Sequence, residues 1–238
     1  MYRRNIPTKT YTMKFTFYGH ASFEIETGGK KLLFDPFITG NELAKHIDIN
    51  SIDADYILLS HGHVDHVADA EAIAKATGAT IVAAYEVAMW FAQKGIEKYH
   101  PMNIGGKWQF DFGTVKCVNA VHSSVLPDGS YGGNPMGFLI TSDEINFYYS
   151  GDTALTLDMQ LIPTFAEIDF AVLPIGDNLT MGIDDAIQAA KMVQTDLVIG
   201  VHFDTFGFIK IDHQKAIENF KSHGVELKLL SIGETIEL

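Results

Sequence analysis

Three histidines and one aspartate fall within six consecutive residues of this 238-residue chain, and they are His61, His63, Asp65 and His66. Imidazole and carboxylate groups are ligands that zinc and similar divalent metals accept. An extended His-x-His pair can aim two imidazoles at one point, and Asp65 and His66 can reach a second point close by. The spacing therefore predicts a metal centre, with room for two ions, in preference to a solvated polar loop.

The elements around this cluster must hold it at the end of a strand. Residues 55–59 predict a short buried strand and residues 68–79 predict a helix, so the cluster occupies the connection between them. Three further metal-capable residues stand just beyond the predicted strands 114–121, 145–150 and 197–201, namely His122, Asp152 and His202. Loops that leave one edge of a sheet converge on a common rim. We therefore expect all seven residues to form two adjoining sites, with Asp152 placed to bridge them.

The rest of the chain alternates strand and helix patterns without a break. No linker or low-complexity stretch divides it, so we predict one domain over residues 13–238 after an N-terminal extension of residues 1–12. The further predicted strands are 13–18, 22–26, 31–34, 79–83, 107–110, 137–141, 170–174 and 226–230, with an edge pairing at 234–238. The further predicted helices are 85–94, 183–193 and 213–222.

Composition limits the classes of partner and compartment. With 47% hydrophobic and 20% charged residues the chain belongs to the ordinary soluble class, and no apolar run approaches the ~18 residues of a membrane span. A net charge of −13 argues against a nucleic-acid partner. Cys117 is the only cysteine, predicted on one strand face with Val115 and Val121, so we expect an inert thiol and a cytoplasmic location. The expected partner is a small-molecule substrate, and the sequence leaves open whether the chain forms a homo-oligomer.

The metal-capable residues occur along the chain in the order His61-x-His63-x-Asp65-His66, His122, Gly151-Asp152 and His202. This order resembles that of the metallo-β-lactamase superfamily. The stretches 19–22, 34–36 and 173–181 are similar to its compact branch of predicted metal-dependent hydrolases, related to the ascorbate-phosphate lactonases. The resemblance implies an α+β fold, a four-layer αβ/βα sandwich of two mixed sheets between helices. It also implies two ligand sets on either side of a bridging Asp152: His61, His63 and His122 for one metal ion, and Asp65, His66 and His202 for the other.

This ligand set predicts hydrolysis. Two divalent ions about 3.5–4 Å apart can share a water and lower its pKa from 15.7 toward about 7, which gives a metal-bridging hydroxide. We expect it to attack an ester, lactone or phosphoester of a small molecule. Zinc is the first expectation, with manganese or iron as alternatives, because His and Asp ligands serve all three metals.

Several acidic and imidazole groups have predicted roles beyond ligation. Asp65, Asp152 and His20 are predicted to be catalytic. For His20 the alternatives are that it binds substrate or is a hydrogen-bonded histidine of the core. Asp35 is predicted to hold a ligand in place or to form a turn rather than to act as a catalyst, and Asp177 is predicted to border the substrate site, with a plain turn residue as the alternative. The loop 127–135 is predicted to form a lid or a wall of the substrate site.

Two other functions stay open. One is a mononuclear iron oxygenase of the persulfide dioxygenase type, with ligands drawn from His61, His63, His122 and Asp152. The complete second ligand set favours hydrolysis over this reading. The other is a metal-binding protein without catalysis, which would be expected to close its coordination sphere.

Overall fold

A computed structural model describes residues 13–238, and the predicted extension 1–12 lies outside the described residues. The strands are β1 Lys14–Gly19, β2 Ser22–Thr27, β3 Lys30–Phe34, β4 Tyr56–Leu59, β5 Thr80–Ala84, β6 Tyr99–Met102, β7 Lys107–Phe110, β8 Gly113–Asn119, β9 Met136–Thr141, β10 Asn146–Tyr149, β11 Phe170–Pro174, β12 Leu197–Val201, β13 Glu226–Lys228 and β14 Thr235–Glu237. The helices are α1 Val64–Val67, α2 Ala70–Thr77, α3 Tyr85–Gln93, α4 Ile162–Phe165, α5 Ile183–Val193 and α6 His213–Ser222.

Two mixed sheets carry the same pattern of strand pairing. The first sheet runs β14-β1-β2-β3-β4-β5-β6 and the second runs β7-β8-β9-β10-β11-β12-β13. In each sheet the first three pairings are antiparallel and the last three are parallel. The two halves are therefore structural repeats, and β14 from the end of the chain completes the first sheet by pairing with β1.

The two sheets face each other across an aromatic core. Phe34 of the first sheet meets Phe138 and Tyr149 of the second, with ring centroids 6.2 and 5.6 Å apart. Truncating a buried ring of this kind to alanine costs about 3–5 kcal/mol. On the outer face of the second sheet, α5 and α6 bury a separate cluster that includes Ile187 and Phe220. The predicted four-layer α+β sandwich is confirmed.

Several predicted boundaries were wrong, and the reasons are local. The predicted helix 68–79 is the shorter helix α2, and a separate helix, α1, precedes it from Val64, so Asp65 and His66 lie on α1. The strand β6 was missed because its sequence, Tyr-His-Pro-Met, lacks an apolar alternation. Strand β8 ends at Asn119, which leaves Val121 52% exposed and off the face of Cys117.

None of the helices in residues 13–238 is long and apolar enough to cross a lipid bilayer.

Candidate metal centre

The predicted ligands meet at one edge of the sandwich, where the parallel strands of both sheets end. His61 follows β4, and His202 comes directly after β12. His122 and Asp152 each lie three residues beyond their strands, β8 and β10. Gly151 brings the two halves together: its φ is +61°, and a Cβ there would lie 2.8 Å from the Cβ of Ser60. Only glycine permits both this conformation and this close approach.

The first cluster consists of His61, His63 and His122, whose ligand atoms lie within 4.8 Å of one another. Nε2 of His61 is 2.9 Å from Nδ1 of His63. His61 is fully buried, whereas His63 and His122 are half-buried and border the opening. Three imidazoles that converge in this way match the ligand set of a divalent metal ion with a free coordination position.

The second cluster consists of Asp65, His66, His202 and also His20, again within 4.8 Å of one another. Oδ2 of Asp65 lies 3.9 Å from Nε2 of both His66 and His202. Burial raises the pKa of Asp65, but the hydrogen bond from His20 and the charge of His66 outweigh it and hold that pKa below its ordinary value. Asp65 is therefore ionised at neutral pH and accepts hydrogen bonds only.

Asp152 stands between the two clusters. Its Oδ2 lies 3.7 Å from Nε2 of His122, and 3.2 and 3.0 Å from Nε2 of His66 and His202. Burial raises the pKa of Asp152, but the charges of His202 and His66 hold it well below the ordinary value of a carboxyl group. A single ionised oxygen thus faces imidazoles of both clusters.

Asp35 lies beneath the clusters and is fully buried. Its Oδ2 accepts hydrogen bonds from Ser60 Oγ at 2.5 Å, from Tyr149 Oη at 2.5 Å and from His66 Nδ1 at 2.9 Å. Its Oδ1 accepts from the backbone N–H of Ser60 at 2.7 Å. Because the carboxylate only accepts, all four partners must present hydrogens to it.

These bonds decide which nitrogen each histidine offers. His66 donates from Nδ1 to Asp35, so Nε2 is the nitrogen that faces the site, and a metal ion bound there would displace its proton. In the metal-free protein, burial lowers the pKa of His66, but the charges of Asp152 and Asp35 outweigh it and hold that pKa well above its ordinary value. The Ser60 hydroxyl donates to Asp35 and therefore accepts from His61 Nδ1, 2.9 Å away, which leaves His61 Nε2 facing the site in the same way. A carboxylate that fixes the tautomer of a ligating histidine is a recurring feature of metal sites. One carboxylate therefore prepares a ligand in each cluster.

Unpaired nitrogens show that the site fits a metal. Nε2 of His66 and both ring nitrogens of His202 are buried and make no well-aligned hydrogen bond within the described residues. The two Nε2 atoms share one close neighbour, Asp152 Oδ2, at 3.2 and 3.0 Å. A buried polar atom left without a partner costs about 1–3 kcal/mol. A divalent cation would satisfy both Nε2 atoms, and the surrounding imidazoles and carboxylates are the ligands it prefers.

His20 joins the second cluster through its ring. Its Nε2 is 3.1 Å from Asp65 Oδ2, and its Nδ1 is 3.0 Å from Thr205 Oγ1. Burial, followed by the charge of His202, lowers the pKa of His20 to about 4. The ring is therefore neutral at pH 7, and since Asp65 can only accept, the proton of His20 resides on Nε2. His20 holds Asp65 in place by this hydrogen bond.

Two other predicted elements lie around the site and outside the clusters. Asp177 is exposed and accepts a hydrogen bond from the backbone N–H of Asn178 at 2.7 Å, so the structure does not bring it together with the ligands. The loop 127–135 forms a small hairpin closed by a Val125–Tyr131 bridge. Ser124 joins it to the His61–His63 segment, because Ser124 Oγ accepts from Gly62 N–H at 3.0 Å and donates to the carbonyl of Gly132 at 2.8 Å.

Sequence reasoning missed the residues that hold the ligands. Ser60 and Tyr149 complete the network around Asp35, and Thr205 meets His20. Tyr149 lies 114 positions from Asp35, and no local pattern links them. Only Ser60 carried a signal, because it stands at the exit of a strand directly before His61.

Comparison with known proteins places this geometry in a family. The profile of the beta-lactamase superfamily domain matches residues 14–202. The chain belongs to the beta-lactamase superfamily. Within the superfamily, a UPF0173 metal-dependent hydrolase from Flavobacterium johnsoniae is 57% identical over 226 residues, which are 95% of this chain and 100% of that protein. The UPF0173 metal-dependent hydrolase YtkL of Bacillus subtilis is 45% identical over 231 residues, with 95% and 100% covered.

A solved structure agrees with the fold. Igni18, a metallo hydrolase from the archaeon Ignicoccus hospitalis, has a TM-score of 0.86 at 32% identity, with 96% of this chain and 99% of that chain covered. The predicted superfamily is confirmed, and the chain is a metal-dependent hydrolase. The relation to ascorbate-phosphate lactonases stays a prediction.

Proposed function

We propose that this hydrolase uses two divalent metal ions, zinc first among them, to cleave an ester, lactone or phosphoester of a small molecule. The observation that carries the proposal is the position of Asp152, whose Oδ2 lies 3.7 Å from Nε2 of His122 and 3.0 Å from Nε2 of His202. A carboxylate oxygen within reach of both clusters is what a shared ligand requires. His61, His63 and His122 would hold one ion, and Asp65, His66 and His202 the other.

Two bound cations would activate a water molecule and stabilise the negative charge that develops on the attacked substrate. The protein contributes a fixed set of ligands, because Asp35 orients His66 directly and His61 through Ser60 before any metal binds. It also keeps bulk water away from the base of the site, since His61 and His66 are fully buried. In such surroundings electrostatic interactions are stronger than in water.

We propose that Asp65 accepts the proton that the attacking water releases and then passes it to the leaving group. It is ionised, it faces the opening, and its side chain is 18% exposed. Its Oδ2 is held by Nε2–H of His20, 3.1 Å away. His20 thus enters catalysis through Asp65, by keeping the carboxylate aimed at the site.

The remaining proposals concern partner and compartment. A net charge of −13 favours a small-molecule substrate over nucleic acid, whose phosphates need basic residues. A cytoplasmic location is proposed because a single cysteine gives the chain no internal disulfide framework.

The test is turnover without oxygen. Zinc-loaded protein should hydrolyse members of a panel of p-nitrophenyl esters, lactones and phosphodiesters under anaerobic conditions. His202→Ala should lose that activity, whereas His223→Ala, on the exposed end of α6, should keep it. Oxygen consumption matched to turnover would reject the proposal in favour of the oxygenase alternative.

A further inference from the structure

The loop that follows His202 carries an aromatic surface from the second cluster to the solvent. The ring of Phe206 lies 5.4 Å from the ring of His20, and the ring of Phe208 stacks on Phe206 at 5.7 Å. Phe208 is 61% exposed. We call Phe206 and Phe208 the aromatic wall. Because His20 also contacts Asp65, the wall begins at the candidate catalytic centre and ends at the surface.

The fold holds this wall in place. The backbone N–H of Asp204 donates to the carbonyl of Ile209 at 2.9 Å, which closes the loop on itself. The Asp204 side chain accepts from the N–H of Ile211 at 3.1 Å and lies 2.6 Å from Nε2 of His213. Phe203 and Ile209 are buried and anchor the two ends of the turn. These contacts fix the loop, so the exposed ring of Phe208 has a defined position, where it is available to the apolar part of a ligand bound at the second cluster.

The charges around the site also favour an uncharged substrate. Within the described residues, the carboxylates of Asp65 and Asp152 form ion pairs with histidines only. The only arginines of the chain, Arg3 and Arg4, lie outside the described residues. Lys210, on the same loop as the wall, lines a separate surface pocket with acidic residues of α5. The described site therefore offers no guanidinium fork of the kind that binds phosphate or carboxylate groups.

We propose that the substrate is an uncharged ester or lactone whose apolar group packs on the aromatic wall, and that phosphoesters are poor substrates. The proposal rests on the hydrolytic function proposed above and narrows it. The wall gives the apolar part of the substrate a fixed position beside the second cluster, and burial of that part supplies binding free energy.

Binding of alkyl hydroxamates to the zinc-loaded protein tests the wall without requiring turnover. Hydroxamates bind metal ions, so a series from acetohydroxamate to octanohydroxamate keeps the head group constant while the chain lengthens. Affinity measured by calorimetry should rise with each CH₂ group, up to about 4-fold per group at full burial. In Phe208→Ala the rise should be flatter, whereas the control Phe165→Ala, an exposed phenylalanine of α4, should behave like the parent.

Ester kinetics form the second arm. For p-nitrophenyl acetate, butyrate and hexanoate, kcat/KM should increase with chain length in the parent, and Phe208→Ala should mainly raise KM for the longer esters. Equal slopes in parent and Phe208→Ala, or a preference for p-nitrophenyl phosphodiesters, would overturn the inference while hydrolysis itself stands. The inference would also be overturned if the parent were a dimer, Phe208→Ala were a monomer, and the two bound the hydroxamates with equal affinity. That result would show that the aromatic wall contacts a second copy of the chain. Chain-length-dependent hydroxamate binding without hydrolysis of any panel member would reject the proposed function separately.

Discussion

Asp35 is the residue on which the preparation of the site depends most. It receives four hydrogen bonds, two from Ser60 after β4, one from His66 on α1 and one from Tyr149 at the end of β10. Through them it sets the orientation of His66 directly and of His61 by way of Ser60. A buried network of this kind is stabilising only when every member is satisfied. Its position at the end of β3 was visible in the sequence, but its partner Tyr149 was not.

Asp35→Asn should weaken metal binding at both clusters. The amide keeps one acceptor oxygen and turns an NH₂ group toward donors, so either the Ser60 N–H or the three donors at Oδ2 lose their acceptor. Changes at residues that hold ligands typically cost about 10–100-fold in affinity. Competition with a fluorescent zinc chelator measures it, and Asp53→Asn, whose side chain is 71% exposed, is the control. Parent-like affinity in both variants would show that Asp35 does not prepare the ligands.

Glu24 gives a pH-dependent prediction away from the metal ligands. Burial raises its pKa from 4.5 to about 6, and its Oε2 accepts from the hydroxyl of Tyr18 at 3.2 Å. The pKa of Glu24 is higher in the folded than in the unfolded state, so protonated Glu24 favours the folded state. This contribution to stability is fully present below pH 4.5 and is lost as pH rises through 6. A shift of this size corresponds to about 2 kcal/mol.

Glu24→Gln should therefore be more stable than the parent at pH 7.5 by up to about 2 kcal/mol, and the difference should vanish near pH 4. Urea unfolding across that pH range measures it. The control is Glu26→Gln, in the same strand, where the carboxylate is partly exposed and pairs with Lys14 at 3.3 Å. A constant difference between Glu24→Gln and parent over the whole range would contradict the assignment.

At the scale of elements, the sequence located the strand ends and misplaced some of the segments between them. Strand β12 and helix α5 were predicted at their observed bounds, because buried apolar runs and helical periodicity are strong local signals. The start of α1 was missed because the helix has none of the usual sequence signals of a helix start. The side chain of its N-cap residue, His63, makes no capping hydrogen bond, and the polar ligands Asp65 and His66 occupy its only turn. The edge strand β6 contains Pro101, which usually argues against a strand.

The loops of β11 and β12 depend on each other through Gly176. A Cβ at this position would lie 2.1 Å from the carbonyl oxygen of His202. Gly176→Ala should therefore displace His202, with lower metal occupancy of the second cluster and a destabilisation of about 1–3 kcal/mol from overpacking. Zinc content and thermal unfolding measure these effects. In Gly207→Ala, where a Cβ would meet nothing within 4 Å, both should match the parent, and equal behaviour of the two variants would refute the argument.

At the scale of the whole molecule, the site lies where two structural repeats meet. The strands β3 and β10 occupy equivalent places in the two sheets, and Asp35 and Asp152 follow them. Strand order across a sheet is set by pairing between segments that are distant in sequence, so local patterns could not predict it. The prediction of the fold rested on the resemblance of the motifs to a known superfamily. The seven predicted ligands nevertheless converge, because they lie on loops, or on helix α1, that follow strands ending at the same edge.

The central claim is that two metal sites share Asp152, and counting metal ions per chain tests it most directly. Purified protein, stripped with a chelator and titrated with zinc, should bind two ions per chain. His63→Ala and His202→Ala should each lose one ion and keep the fold, because they change different clusters. A parent that binds a single ion, or a His202→Ala protein that still binds two, would contradict the dinuclear account.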